Sequence, residues 1–151
     1  IRDTDRSRGL GDVYKRQWFD RVRERRLNII NIIDSSAIIS ASAKMGIGNF
    51  VGKMAVINAD AEIGNNNVIN TKALIEHECK VGDHNHLSTN SVINGNVIVG
   101  NSVFLGSSSV CNGQLKIGSN AIIGSGSVII KDIPEKVTVV GVPARVIKRR
   151  D

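Results

Sequence analysis

Aromatic side chains are almost missing from this sequence: one Trp, one Tyr and three Phe among 151 residues, or 3%. A core built from it must be aliphatic, and the 41% hydrophobic share permits one of about a single domain's size. Long apolar runs are missing too. None approaches the roughly 18 residues of a membrane-spanning helix, and no signal-peptide pattern opens the chain, so a soluble protein is expected. Cysteine is scarce: Cys79 and Cys111, 32 residues apart, have neither the spacing of a metal pair nor the number of a disulfide framework. They suit a reducing, cytoplasmic setting. What is missing last is a basic surface. The formal charge is +6, but residues 1–26 carry nine Lys/Arg against five Asp/Glu, and residues 27–151 carry eleven against nine. A nearly neutral body argues against a nucleic-acid partner.

The opening segment stands apart. "SRGLGDVYKRQ" (7–17) shares neither composition nor pattern with residues 18–151, and it resembles the translation of a transposon-end sequencing adapter. Residues 1–17 are therefore expected to be non-native, the alternative being a natural basic arm, and the native chain is expected to begin further upstream. Residues 18–32 read as the remnant of a lost N-terminal domain: a short charged helix, with Trp18, Val22 and Leu27 on one face, running into an apolar strand.

From Ile33 the chain keeps a period of six. Positions 33, 39, 45 and onward to 129 read I, I, M, V, I, I, I, I, V, L, I, V, L, C, I, I, I. Four places after these come mostly small residues, such as Ala37, Ala55, Ala73, Ser91, Ser109 and Ser127. A six-residue repeat of this kind signals a parallel β-helix, one short strand and a turn per hexad. A second period of 18 divides the hexads into three faces: the residue after the aliphatic one is glycine at 46, 64, 82, 100 and 118, but Asn58, Glu76, Asn94 and Asn112 on another face. Three hexads close a triangular coil, with glycine and asparagine expected to supply the left-handed backbone of its corners. The prism is expected over 33–133, ending at Pro134, which has no N–H to donate. Residues 134–151, with "GVPAR" and a basic tail, read as a closing loop.

Several stretches, "NTKALIEHEC" (70–79), "VGDHNHLS" (81–88), "INGNV" (93–97) and "IIGSGSVIIKDIPEKVTVVGVPARV" (122–146), resemble the hexapeptide-repeat acetyltransferases of the sialic-acid O-acetyltransferase and bacillosamine-pathway sugar N-acetyltransferase group. The resemblance covers about residues 29–147. It implies a left-handed, trimeric parallel β-helix, acetyl-CoA as co-substrate, a nucleotide-sugar or sialic-acid-like acceptor, and an N-terminal Rossmann-like domain that this sequence lacks. The acceptor, and the choice between N- and O-acetylation, are left open.

The three histidines fall within residues 74–88. His77 stands in the 18-spaced column Ala59, His77, Gly95, Gly113, so a slot is expected above it, where the Gly95 N–H can meet a thioester oxyanion. His77 is the candidate general base, an imidazole suited to neutral pH. The resemblance makes Glu78 its orienting acid and matches Asn70 and Glu76 to polar positions of the site. His86, half a coil away, is expected to reach a site only across a subunit interface, and His84 to be a solvated turn residue. Thr89, Ser107 and Ser125 form another 18-spaced column, matched by the resemblance to the pantetheine arm; Lys131 is a candidate for the CoA phosphates, while the tail Lys148, Arg149 and Arg150 is read as solvated rather than as a second such contact. Gly113 is assigned to the cofactor slot, and Cys79 and Cys111 to the core. Two other functions use such a fold: a γ-type carbonic anhydrase, with zinc on three histidines, against which the spacings of seven and two argue, and a non-catalytic assembly module. No metal is expected.

Overall fold

The computed structural model describes residues 2–150, with side chains from residue 13. Seventeen two-residue strands, from Ile32–Ile33 to Val128–Ile129, recur every six residues. They stack into three parallel sheets, the parallel β-helix that the period predicts. The first face carries Phe50–Val51, Val68–Ile69, His86–Leu87, Phe104–Leu105 and Ile122–Ile123. On the second lie Val56–Ile57, Leu74–Ile75, Val92–Ile93 and Val110–Cys111, and on the third Lys44–Met45 through Lys116–Ile117. Each strand pairs with those 18 residues away, Ile75 with Ile57 below and Ile93 above.

The strands are short because a left-handed residue bends the chain every six positions: Met54, Asp60, Asn66, Lys72, Glu78 and onward to Asn120 all have φ between 54° and 62°. This corrects the sequence expectation. The bend comes three places after the inward aliphatic residue, and the glycines directly after it have another reason. A Cβ on Gly64 would lie 2.3 Å from the Asp83 Oδ1 and 2.7 Å from the Gly82 carbonyl oxygen, and Gly46 and Gly82 are equally crowded. Side chains one coil above fold down over these glycines to accept the next backbone N–H, as the Asp83 carboxylate does from Asn65 at 2.6 Å.

Inward residues fill the prism. Ile57, Ile69, Ile75, Leu87, Ile93, Leu105, Ile123 and Ile129 are fully buried, each worth ~1.5–3 kcal/mol of hydrophobic stabilisation. On the third face the inner corner holds asparagine instead of a small residue. Asn49, Asn67 and Asn85 are buried in a ladder begun by Asn31: each side-chain oxygen accepts the backbone N–H one coil above, at 2.7–2.8 Å, as far as Val103.

The helix α1 (Arg2–Glu24) runs through the boundary expected at residue 17. Its anchor is Phe19, buried against Gly48 and Ile29, whereas Trp18 and Leu27 are exposed. Phe19 wins because Gly48 leaves room for a ring; Trp18 turns outward, with the Arg21 guanidinium 5.4 Å from its ring. At the other end the segment expected as a loop contains strands. Ile133 bridges Ile117, Val137–Val140 continues the first face on Ile122–Ile123, and Arg145–Arg149 folds back antiparallel. Pro134 thus ends the third face alone. No helix among the described residues is long and apolar enough to cross a membrane.

Candidate active site

The turn between the second and third faces is built by Leu74–Ile75 below and Lys80–Val81 beyond. Ile75 and Cys79 point inward and are fully buried, so residues 76–78 are held out at the corner. His77 Nδ1 is 3.1 Å from Glu78 Oε2. With the carboxylate accepting, the proton sits on Nδ1 and Nε2 carries the free lone pair. Glu76 bonds differently, its Oε2 accepting from the His77 backbone N–H at 3.3 Å and from Asn58 Nδ2 at 2.9 Å. Glu78 therefore meets the ring and Glu76 the backbone.

Above this pair the corner is bare. A Cβ on Gly95 would lie 2.6 Å from both Cε1 and Nε2 of His77, so the ring rests against the glycine backbone. A Cβ on Gly113 would meet only the backbone of Gly95, its oxygen at 3.0 Å. These glycines differ from those of the third face, which polar side chains cover. Among the described residues nothing accepts from the Gly95 N–H; the Gly95 carbonyl is taken by Gln114 N at 3.0 Å, and the His77 carbonyl by Asn96 N at 2.9 Å. The peptide is thus fixed while its donor stays free, the arrangement an oxyanion requires.

Lys131 lies exposed beyond Gly113 in the last turn of this corner, where the step from Ile129 to Ile133 is four residues instead of six. Other candidates lie elsewhere. Asn70, Ser107 and Ser125 occupy the corner between the first and second faces, with Asn70 Oδ1 accepting from Thr71 N at 2.7 Å and the Ser107 carbonyl from Gly126 N at 2.9 Å. One chain does not bring them to His77. His86 points outward from the first face, its ring 5.2 Å from that of Phe104.

His84 is not the solvated residue expected. It sits half-buried at the corner between the third and first faces, bonded through Nδ1 to Asn66 Nδ2 at 2.8 Å and edge-on to Phe19. Burial, followed by the nearby Arg16 charge, lowers its pKa. Among the described residues no three metal-ligating side chains converge, and the histidines diverge, His77 and His84 to different corners and His86 to the first face. Burial pushes the Cys111 thiol up to about 12 and raises that of Cys79, whose Sγ lies 3.1 Å from the Asn94 carbonyl. Both suit packing rather than nucleophilic chemistry.

Sequence reasoning missed Asn58, which lies one coil directly below Glu76. Its only signal was the 18-residue spacing of Asn58 and Glu76.

No protein-family model and no curated protein matches the chain. Solved structures do. It is similar to a histidine-to-alanine mutant of GDP-perosamine N-acetyl transferase from Caulobacter crescentus, in complex with CoA and GDP-perosamine, at 34% identity and a TM-score of 0.87 over 88% of this chain and 63% of that one. The acetyltransferase domain of PglB from Neisseria gonorrhoeae, in complex with acetyl coenzyme A, is 29% identical with a TM-score of 0.89, over 90% of this chain and 66% of that one. WeeI from Acinetobacter baumannii, at 24% identity and a TM-score of 0.86, shares the fold. The chain spans 63–66% of these neighbours' lengths. The resemblance to hexapeptide-repeat sugar acetyltransferases is borne out.

Proposed function

We propose that this chain carries the acetyl-transfer site of a sugar acetyltransferase that moves the acetyl group of acetyl-CoA onto the amino group of a nucleotide-linked sugar. The observation that carries the reading is the His77 ring lying against Gly95 beneath an uncovered Gly113. The neighbours' CoA, acetyl-CoA and GDP-perosamine name the ligand classes, and amide formation is the chemistry of the Caulobacter enzyme.

In this reaction the acceptor amine attacks the thioester carbonyl carbon, forming a C–N bond. His77 Nε2 takes the proton the nitrogen loses, and Glu78 holds the ring and favours the resulting imidazolium. Charge gathers on the carbonyl oxygen, which the Gly95 N–H stabilises. Collapse breaks the C–S bond, the electron pair leaves on sulfur, and the thiolate takes the proton from His77, which restores the base. Gly113 lets the pantetheine arm approach the backbone, and Lys131 meets its phosphates at the top of the slot.

A homotrimer with shared sites is part of the proposal. Outward residues of the first face include Phe50, Val68, Phe104 and Ile122, and those of the second Val56, Leu74, Val92 and Val110, whereas the third presents Lys44, Glu62, Lys80 and Lys116 with Ile98 among them. Apolar faces one and two suit burial against a neighbour; the charged third suits water. Packing face two of one parallel prism on face one of the next brings the His77 corner toward the neighbour's His86. It also sends Ser107 and Ser125 toward the threefold axis, so the pantetheine arm is assigned to the Gly113 side. A cytoplasmic location belongs to the same proposal.

The test is acetyl transfer from acetyl-CoA to GDP-perosamine and related amino-sugar nucleotides, comparing the chain with His77→Ala. The variant is expected to lose ~10²–10⁴-fold in kcat while still binding acetyl-CoA. Undiminished turnover in His77→Ala contradicts the base assignment, and the absence of transfer to any acceptor contradicts the reading for this chain.

A further inference from the structure

We infer that Asn58 is a positioning residue for this site, acting through Glu76 on the peptide of His77; the inference rests on the acetyl-transfer reading above. Asn58 stands in the column Ser40, Asn58, Glu76, Asn94, Asn112, one member per coil. Within this column, among the described residues, only Asn58 and Glu76 are joined by their side chains, Asn58 Nδ2 donating to Glu76 Oε2 at 2.9 Å. That oxygen also accepts the His77 N–H at 3.3 Å. A single carboxylate oxygen therefore ties the coil below to the backbone of the candidate base.

The tie falls where the fold leaves His77 least constrained. Its carbonyl is held by Asn96 N and the next residue's amide by the Ala59 carbonyl, but its own N–H has only Glu76. The ring and Glu78 side chain are largely exposed, at 58% and 62%, so apart from the Gly95 backbone beside the ring little packing holds them in place. A Glu76 carboxylate without Asn58 is free to rotate into solvent, since its partner from below is gone and the contact to His77 is the longer of the two. Small displacements of a base are costly, because a shift of about 1 Å can cost on the order of 10²-fold in rate.

Asn58→Asp tests this with little change of shape. It replaces the donor with a second carboxylate, which repels Glu76 at pH 8. The readouts are the His77 backbone amide resonance of the full chain by NMR and kcat for acetyl transfer. Asn58→Asp and Asn58→Ala at pH 8 are expected to move the His77 amide as Glu76→Ala does, and to lower kcat by about 10-fold or more. The double variant Asn58→Ala/Glu76→Ala should be no worse than Glu76→Ala alone. An unmoved amide, a moved amide with unchanged kcat, or full additivity overturns the inference. If the amide responds as expected but the unsubstituted chain transfers no acetyl group, the tie stands and the acetyl-transfer reading falls.

Discussion

Glycine is used in two ways in this chain, and a single residue type hides the difference. Gly46, Gly64 and Gly82 are forced by polar side chains folded over them from the coil above; Gly95 and Gly113 have only a histidine ring and bare backbone nearby. Adding a methyl group should separate the two. Gly64→Ala puts a Cβ 2.7 Å from the Gly82 carbonyl oxygen and is expected to cost ~1–3 kcal/mol of stability, seen as a lower Tm. Gly113→Ala meets one backbone oxygen at 3.0 Å and should leave the Tm near that of the parent while narrowing the slot. The sequence makes the His77–Gly95–Gly113 column legible through its 18-residue spacing. It does not reveal that the left-handed backbone falls on residues such as Glu78 and His84, because polar and charged residues there carry no glycine signature.

At the scale of elements, the strands were legible because each hexad offers one large apolar side chain for the interior, followed four places later by a mostly small one. The asparagine ladder was not, since Asn49, Asn67 and Asn85 break the small-residue pattern for a reason visible only when coils stack. Asn67→Ala would strip the buried Asn85 N–H of its acceptor and is expected to cost about 1–3 kcal/mol, measured by chemical denaturation. Helix α1 was misjudged by one residue, because Gly48, which makes room for Phe19, is remote in sequence. Its docking carries a pH dependence. His84 faces Lys15, Arg16 and Asp20 from α1 and Asp83 from its own turn, and burial holds its pKa below the ordinary 6.5. The released form therefore takes up a proton first as pH falls, so docking is constant above about pH 7 and weakens as pH drops through 6.5 and below. Proteolysis of α1 should accelerate over that range, and His84→Gln should flatten the profile.

For the whole molecule, the distribution of apolar and charged residues among the three outward faces carries the account. Leu74, Val92 and Val110 on one face and Val68 and Phe104 on another are half-buried even in a single chain, with little polar cover. Val92→Asp and Phe104→Asp are expected to convert trimers into monomers in analytical ultracentrifugation, and Lys80→Ser on the third face is expected to leave them intact. Lys80→Ser breaking the trimer while the other two spare it would reverse the assignment of faces. The proposed trimer was suggested only by the resemblance, since a period of 18 describes one prism and says nothing of its neighbours.

The central claim is that the column above His77 receives a thioester, and calorimetric titration of acetyl-CoA into the chain, verified as trimeric, tests it most directly. Saturable binding near one site per chain, weakened about tenfold or more in a folded Gly113→Ala trimer because the methyl group crowds the slot, is the predicted result. Absence of binding by an intact trimer, or equal binding by Gly113→Ala, would contradict it.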